Sequence, residues 1–248
     1  MKRTGLKSER WLNFAKYLIL IVAAIIMIYP VWSAFNLSMM TDAEATSFPP
    51  RQFPSGLHLT NIQRALRTAP LGRYLINSII QSLLVMSGQL ITACLAAYAF
   101  AFIDFRWRNI FFIIFLSTMM IPWEATIIPN YLLIKQLRWT DTFLGLSVPF
   151  MATGFGTFLL PLARPAVGTL AIYSFLQTYN QYLWPLLITN KPDMRTVQIG
   201  IALLQDEERY MINNIMAGVV FILVPTLVLF IITNKQLIRG LTAGAVKG

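Results

Sequence analysis

Long apolar stretches without charged side chains alternate with short polar stretches along this chain. An α-helix needs about 20 apolar residues to cross the hydrocarbon core of a bilayer, and six stretches reach or approach that length. They predict spans at about 17–40, 74–103, 109–134, 142–160, 166–190 and 210–234. The pattern therefore predicts an all-α membrane protein, with a transmembrane domain over residues 17–234 and short tails at 1–16 and 235–248.

Proline and charged residues separate these stretches. The first loop, residues 41–73, is rich in proline, which interrupts helices, and within it Leu59–Arg67 is predicted to form a short surface helix. Pro122 lies inside the third stretch, so that span is expected to end near Ile121 and to continue as an irregular or amphipathic segment. A polar loop is expected at 191–209.

The charges of the chain follow the apolar pattern. Among 248 residues, 56% are hydrophobic and only 12% are charged, and the formal net charge is +10. Lysine and arginine gather between the apolar stretches, which is typical of membrane topology and does not indicate a nucleic-acid partner. The basic amino-terminal tail and the short Arg106–Arg108 turn predict that both termini lie in the cytoplasm. The first stretch is longer than an ordinary signal-peptide core, so we interpret it as a retained span.

Residue types that support catalysis or metal binding are scarce in the sequence. A single cysteine, Cys94, permits no intramolecular disulfide, and a single histidine, His58, permits no histidine-based metal site. The glycine-rich Gly-x-x-x-x-Gly-Lys-[Ser/Thr] loop that binds nucleotides is absent. The sequence therefore predicts neither an enzyme nor a metalloprotein.

The fifth predicted span carries a group of polar residues. Gln177, Asn180, Gln181 and Trp184 are spaced to share one face of a continuous helix, and such a face is costly in lipid. Amides bind hydroxyl groups and an indole ring stacks on the C–H surface of a sugar, so one interpretation is a pathway for a polyhydroxylated solute. The alternative is hydrogen bonding between helices, with the tryptophan at the membrane interface.

Two further polar residues lie within predicted spans. Gln81 in the second span is a candidate solute contact, although small residues such as Gly88 and Ala93 indicate that this helix mainly packs closely against another. Glu124 lies within the apolar third stretch. It is either a proton-coupling carboxylate or an acid at the outer interface, and its distance of about 24 Å along a helix from Arg108 favours the interface.

Three stretches of the sequence carry a family resemblance. They are Met120-Ile121-Pro122 through Ile128-Pro129-Asn130-Tyr131 to Leu144-Gly145-Leu146, then Leu160-Pro161-Leu162-Ala163-Arg164-Pro165-Ala166, and, most specific, Tyr179-Asn180-Gln181-Tyr182-Leu183-Trp184-Pro185-Leu186. With them the chain resembles the permease subunits of bacterial ATP-driven (ABC) carbohydrate importers. The second permease subunits of maltose-type and glycerol-3-phosphate-type systems are the most similar in appearance.

The resemblance implies an assembly in the bacterial cytoplasmic (inner) membrane. It implies a six-helix importer permease, a second permease subunit, two cytoplasmic ATPase subunits that bind ATP, and an extracytoplasmic solute-binding protein. This chain would itself hold no cofactor. Solute would pass between the two permeases by alternating access, and the helix that contains Asn180 would help to line the pathway.

One departure from the family concerns the loop between the fourth and fifth spans. In the family this cytoplasmic loop has a Glu-Ala-Ala pattern, then a glycine, and ends in Leu-Pro, and its short helix docks into the ATPase. Here the Glu-Ala-Ala and glycine positions are missing, and the chain passes directly from Leu160 to Pro161, with Arg164 and Pro165 as the residual tail. A short turn can still join two antiparallel helices, so we expect the fold to survive and coupling to the ATPase to be impaired.

Three classes of function remain open from the sequence. The first is a carbohydrate importer permease, the second is an ion-gradient-driven secondary transporter or channel, and the third is a membrane-embedded enzyme. A secondary transporter is expected to contain buried carboxylates or inverted repeats, and Glu124 is the one candidate. An oligosaccharide, a monosaccharide or glycerol-3-phosphate would suit the family, and the shortage of basic residues within the spans favours a neutral sugar.

Overall fold

The computed structural model describes residues 4–152, 164–207 and 211–242, and the regular elements in that part of the chain are helices. The all-α prediction is confirmed. The helices are α1 Thr4–Ser38, α2 Asp42–Ala45, α3 Thr60–Thr68, α4 Leu71–Phe102, α5 Arg108–Thr118, α6 Trp123–Gln136, α7 Phe143–Ser147, α8 Arg164–Tyr179, α9 Leu183–Ile188, α10 Val197–Glu207 and α11 Ile212–Thr242. Short 3-10 turns follow at Val148–Phe150 and Pro192–Met194.

Three of the described helices contain segments that are long and apolar enough to cross a bilayer: Trp11–Ser38, Leu71–Phe102 and Ile212–Ile232. Helices α5 and α6 meet the same criteria when taken as a pair, which makes a fourth candidate span. These segments make the chain a multi-pass membrane protein. The predicted count of six spans is not reached within the described residues and stays a prediction.

The third and fifth predicted spans are interrupted. Helix α5 ends at Thr118, and α6 starts at Trp123 after a bend of 94°, because Pro122 supplies no backbone N–H to continue the ladder. The predicted span at 166–190 consists of α8 and α9, which are separated at 180–182. The predicted fourth span at 142–160 begins with the short α7, and residues 153–163 lie outside the described part.

Two shorter predictions have opposite outcomes. The predicted surface helix near Leu59–Arg67 is confirmed as α3. The polar loop predicted at 191–209 is wrong over its second half, because α10 starts at Val197 and buries Val197, Ile199 and Leu204. The acidic residues at the end of this stretch favour a loop, but the apolar residues that precede them form the buried face of a helix.

The described residues cluster into two compact units, and the first contains the chain up to Thr68 with residues 204–221. Asn61 closes its loop, because its side-chain NH2 donates to the carbonyl oxygens of Ser38 at 2.9 Å and Met40 at 2.8 Å. Asn213 donates to Met40 O at 3.1 Å and to Asp42 Oδ1 at 2.7 Å. These bonds replace the backbone pairs that are lost where α1 ends.

A capping box starts α2 within this unit. Thr41 Oγ1 accepts from the Glu44 N–H, and Glu44 accepts from the Thr41 N–H at 3.0 Å. The buried Glu44 also accepts from the Ser55 N–H at 3.1 Å and pairs with Arg51 at 3.4 Å. Hydrogen bonds from Ser55 and Thr41 favour the ionised carboxylate and lower the pKa of Glu44 to about 2.

The second unit contains residues 69–203 and 222–248, and its described part is built on the packing of α4 along α8. Ala93 and Ala97 are buried on α4, and Gly88 lies directly against Met151. The small side chains allow the close approach that the sequence predicted. Gly200 is packed in the same way against Tyr74.

Polar contacts fasten one end of this unit. Asn77 on α4 donates to the carbonyl oxygens of Asp193 at 2.8 Å and Arg195 at 2.9 Å, and Ser78 Oγ accepts from the Val197 N–H at 2.9 Å. Asn77 and Ser78 are buried, and paired buried polar groups hold neighbouring segments in register. The start of α4 is thereby attached to the segment that leads into α10.

Candidate functional site: a cavity lined by amides and aromatic rings

A cavity of about 860 Å³ lies in the second unit. Its lining comes from α4, the end of α5, α6, α8, α9 and the turns between them. The polar lining residues include Gln89, Ser174, Gln177 and Gln181, and the aromatic ones include Trp123, Phe150, Tyr173, Tyr182 and Trp184. The volume is in the range typical of small-molecule sites.

The predicted polar face of the fifth span is corrected by the break between α8 and α9. Gln177 lies in the last turn of α8, Gln181 lies in the break, and Trp184 lies in the first turn of α9, so the four residues do not form one continuous helical face. Gln177, Gln181 and Trp184 nevertheless line the cavity. Asn180 is not among its lining residues.

Asn180 instead makes local contacts at the end of α8. Its side-chain NH2 donates to the carbonyl oxygen of Leu176 at 2.9 Å, and its Oδ1 accepts from Gln198 Nε2 at 3.3 Å. The Leu176 oxygen also accepts from the Asn180 backbone N–H at 3.1 Å, so the side chain and the backbone of Asn180 share one acceptor in the last turn of α8. Asn180 therefore helps to terminate α8 beside the cavity.

Gln81 supports the cavity wall from behind. Its side chain is only 1% exposed, and its NH2 group donates to Gln181 Oε1 at 3.0 Å and to the carbonyl oxygen of Leu146 at 3.3 Å. Because the Gln181 oxygen accepts from Gln81, the NH2 group of Gln181 is the donor that it can present to the cavity. Gln81 thus orients a lining residue and does not itself line the cavity.

Trp184 forms an apolar wall. It is buried in a cluster with Ile134, Leu146 and Ile188, and its indole N–H donates to the carbonyl oxygen of Gly145 at 3.0 Å. The ring is therefore enclosed by side chains of this chain. Pro185 is tolerated in the first turn of α9 because a backbone N–H is not needed there.

Aromatic rings pack edge to face around Trp184. The centroid of Trp123 lies 5.5 Å from that of Trp184 with an interplanar angle of 78°, and Phe150 lies at 5.9 Å and 79°. These separations are in the favourable range for T-shaped aromatic pairs. The rings therefore form a rigid surface on one side of the cavity.

Hydrogen bonds attach α4 to the cavity wall. Gln89 Nε2 donates to the carbonyl oxygen of Phe150 at 2.7 Å, and Ser174 Oγ donates to Gln89 Oε1. Thr92 Oγ1 donates to the carbonyl oxygen of Met151 at 2.8 Å. Gln89 thus holds both α8 and the residues that precede the segment 153–163.

The ionisable lining of the cavity is acidic. Glu124 lies in the first turn of α6 and lines the cavity, and the described lining residues include no lysine, arginine or histidine. Glu124 is exposed, so it stands at an accessible part of the wall. Metal binding has no support in the described residues, where no group of three or more histidine, cysteine, aspartate or glutamate side chains could hold an ion.

Sequence reasoning missed several lining residues. Tyr173 lies one helical turn before Gln177, and Gln177 Nε2 donates to its hydroxyl at 3.0 Å, so the spacing of four residues was an available signal. Trp123 and Tyr182 stand next to breaks in the helices, and no periodic pattern marks such positions.

The residues beside the predicted missing loop are only partly described. Leu160 and Pro161 lie outside the described residues. Arg164 and Pro165 are the first two residues of α8, a position that suits proline because the first turn needs no backbone donor.

Known proteins similar to this chain are transport permeases. The sn-glycerol-3-phosphate transport system permease protein UgpE of Yersinia pestis bv. Antiqua (strain Antiqua) is 26% identical over 282 residues, covering 95% of this chain and 98% of that protein. UgpE of Escherichia coli O1:K1 / APEC is 26% identical over 275 residues with the same coverage. No family model matches the chain.

The similarity extends over more positions than this chain contains. The alignment with the Yersinia protein is 282 positions long, whereas this chain has 248 residues, so that relative has residues without a counterpart in this chain.

A solved structure shares the fold. The crystal structure of a bacterial ABC transporter involved in the import of the acidic polysaccharide alginate contains a chain that superposes with a TM-score of 0.79 and 19% identity, over 92% of this chain and 97% of that chain. That likeness shows a common architecture. With the similarity to the permeases over nearly the whole length of both sequences, it shows that this chain resembles the membrane-spanning permease subunits of bacterial carbohydrate ABC importers.

Proposed function

We propose that this chain contributes the cavity on α4, α6, α8 and α9 to the pathway of an importer for a sugar or sugar-like solute. The observation that carries the proposal is the combination of side-chain amides and aromatic rings on the cavity walls. Amides donate to and accept from hydroxyl groups, and flat rings cover the C–H faces of a sugar. A purely structural contact between helices does not need a space of this volume.

The predicted pathway residues have different roles in this proposal. Gln177 and Gln181 present amide groups to the solute, and Trp184 offers an edge of its ring, since its N–H is already bonded to Gly145. Gln81 orients Gln181, and Asn180 shapes the end of α8. Gln81 and Asn180 are thus positioning residues.

The proposed assembly contains further subunits. A second permease would complete the pathway, two cytoplasmic ATPases would bind and hydrolyse ATP, and an extracytoplasmic solute-binding protein would deliver the solute. Both termini of this chain would lie in the cytoplasm, as its basic amino terminus predicts. The resemblance to the permease subunits of ABC importers supports this arrangement.

The pathway is tested with a solute panel on membranes that contain the chain with its partner subunits. The panel contains neutral oligosaccharides, monosaccharides and sn-glycerol-3-phosphate, and both uptake and binding to the purified assembly are measured. Binding is included because impaired coupling would suppress uptake for a reason unrelated to the cavity. Uptake by this chain alone under an ion gradient would indicate a secondary transporter.

Two substitutions decide whether the cavity takes part. Gln177→Ala and Gln181→Ala should each lower affinity for the bound panel solute about tenfold, as expected when a hydrogen bond to a solute is lost. Gln136→Ala is the matched control, because Gln136 is exposed at the end of α6 and does not line the cavity. Equal affinities in all three variants would contradict the proposal.

We also propose that the chain couples poorly to the ATPase. The absent Glu-Ala-Ala and glycine positions at the Leu160/Pro161 junction support this. Purification through a tag on this chain, after co-expression with the second permease and the ATPase, tests the idea. Recovery of the ATPase in stoichiometric amounts, with hydrolysis stimulated by solute, would show that coupling is intact.

A further inference from the structure

The cavity combines several features that act on the charge of a solute. Its described lining contains the Glu124 carboxylate, five aromatic side chains and three side-chain amides, and it contains no basic residue. A carboxylate in a concave site with low-dielectric walls produces a focused negative potential. Aromatic ring faces add negative partial charge, which attracts cations and disfavours anions.

The basic residue of α6 stands far from Glu124. Lys135 is eleven residues after Glu124, about 16 Å along the helix. This distance exceeds the screening length of about 8 Å at physiological ionic strength. The Glu124 charge is therefore not compensated from within α6.

Glu124 also lies at the amino-terminal end of a helix. It is the second residue of α6, a helix of 14 residues, and Pro122 precedes the helix with no side-chain cap. Negative side chains are stabilised in the first turn of a helix by the partial positive charge of its unpaired N–H groups. Because Glu124 is exposed towards the cavity, its field acts on whatever enters.

We propose that Glu124 is a specificity-determining residue that makes this cavity reject anionic solutes and admit neutral or cationic polyhydroxylated ones. The proposal rests on the proposed role of the cavity in the solute pathway. A phosphate or carboxylate group on the solute would approach the Glu124 carboxylate without a basic partner from this chain's described lining. Neutral hydroxyl groups can instead donate to the same carboxylate.

The electrostatic potential in the cavity can be measured without knowing the transported solute. In a Cys94→Ala background, Gln177→Cys places one thiol on the cavity wall. Membranes containing the full chain and its partner subunits are treated with a cationic reagent, 2-(trimethylammonium)ethyl methanethiosulfonate, or an anionic one, 2-sulfonatoethyl methanethiosulfonate. The ratio of the two labelling rates is divided by the ratio for free cysteine, which cancels differences in thiol reactivity that affect both reagents equally.

The expected ratio favours the cationic reagent by about tenfold, the order of magnitude expected for a carboxylate on the same cavity wall in a site of reduced dielectric constant. Glu124→Gln should return the ratio to that of free cysteine, and Glu124→Asp should keep the preference. Asp104→Asn is the matched control, since Asp104 is exposed outside the cavity, and it should leave the ratio unchanged. The exposed native Cys94, labelled in the otherwise unmodified chain, should not respond to Glu124→Gln.

A charge series on one sugar ring completes the test. The affinities of the purified assembly for glucose, glucosamine and glucuronate are compared. Glu124→Gln should raise the affinity for glucuronate, relative to that for glucose, by about tenfold. A labelling ratio that equals that of free cysteine and is insensitive to Glu124→Gln would overturn this inference. Absence of any effect of Gln177→Ala and Gln181→Ala on binding would instead overturn the proposed pathway, while the labelling ratio would still report the field.

Discussion

At the scale of single residues, Gly145 is packed closely against neighbouring atoms and contacts Trp184 in the cavity wall. Its carbonyl oxygen accepts the Trp184 indole N–H at 3.0 Å. A Cβ atom at this position would lie 2.3 Å from the backbone oxygen of Trp139 and 3.1 Å from Ile134. Since a backbone oxygen cannot move aside as a flexible side chain can, the site requires glycine.

Gly145→Ala is therefore expected to destabilise the protein by about 1–3 kcal/mol through overpacking. Gly72→Ala is the matched control, because a Cβ atom there meets nothing within 4 Å and alanine favours a helix. Thermal unfolding of the purified variants in detergent, followed by tryptophan fluorescence, makes the comparison. A similar loss in both variants would show that the close packing at Gly145 is not the cause.

Glu44 supports a prediction about pH. Hydrogen bonds from Ser55 and Thr41 lower its pKa from 4.5 to about 2 in the folded chain. Because the folded pKa is depressed, the ionised Glu44 stabilises the fold fully above pH 4.5, and this contribution is lost as the pH falls from 4.5 towards 2. The difference in unfolding temperature between the natural chain and Glu44→Gln should be largest near neutral pH and should shrink below pH 4.5. A difference that is constant with pH would exclude ionisation as its source.

The candidate lining residues show what a sequence can predict at this scale. Gln177, Gln181 and Trp184 were predicted from their polarity inside an apolar stretch, and they line the cavity. Asn180 belonged to the same pattern but turns to Leu176 and Gln198. Spacing of side chains assumes an unbroken helix, so it cannot separate a residue that faces a cavity from one that ends the helix.

At the scale of elements, the apolar stretches predicted α1, α4 and α11 because a long run of apolar residues leaves a helix as the only way to satisfy the backbone in lipid. The break at 180–182 was not predictable in this way. Hydropathy is summed over many residues, and the nearby Pro185 lies in the first turn of α9, several residues after the break. The contacts of Gln81 and Asn180, which come from packing, stabilise the break.

The loop that follows α9 depends on Asp141. The Asp141 backbone has a positive φ of 55°, and its Oδ1 accepts the N–H groups of Asn190 at 2.6 Å and Lys191 at 2.8 Å. Its own N–H donates to the Ile188 carbonyl oxygen at 3.0 Å. This one residue therefore connects the segment before α7 to the loop at 189–196.

Asp141→Ala should accelerate amide hydrogen exchange at Asn190 and Lys191 by about tenfold or more, because it removes two charge-assisted bonds and disfavours the positive φ. Asp141→Asn should remain within a few fold of the natural chain, since asparagine tolerates this backbone conformation and keeps an acceptor oxygen. Exchange is followed by mass spectrometry on peptides covering 189–196. Exchange at Asn190 and Lys191 that is as slow in Asp141→Ala as in the natural chain would mean that the backbone alone holds the loop.

At the scale of the whole molecule, much apolar surface stays exposed within the chain. In α1 none of the most apolar window is buried, and α5 buries none of its residues. On a soluble monomer, apolar surface of this extent would lead to aggregation, whereas lipid and partner subunits can cover it. The exposed helices therefore agree with a permease that works inside a larger membrane assembly.

The proposed loss of coupling yields the last prediction. If the Leu160/Pro161 junction lacks only a docking helix, inserting a segment with the Glu-Ala-Ala and glycine pattern there should restore stoichiometric recovery of the ATPase and raise solute-stimulated hydrolysis. A glycine-serine insertion of the same length is the control, because it restores the length of the loop without an amphipathic helix to fit a groove. Restoration by both insertions would show that loop length, and not the docking helix, limits coupling. Full coupling of the chain without any insertion would show that another surface transmits the closure driven by ATP.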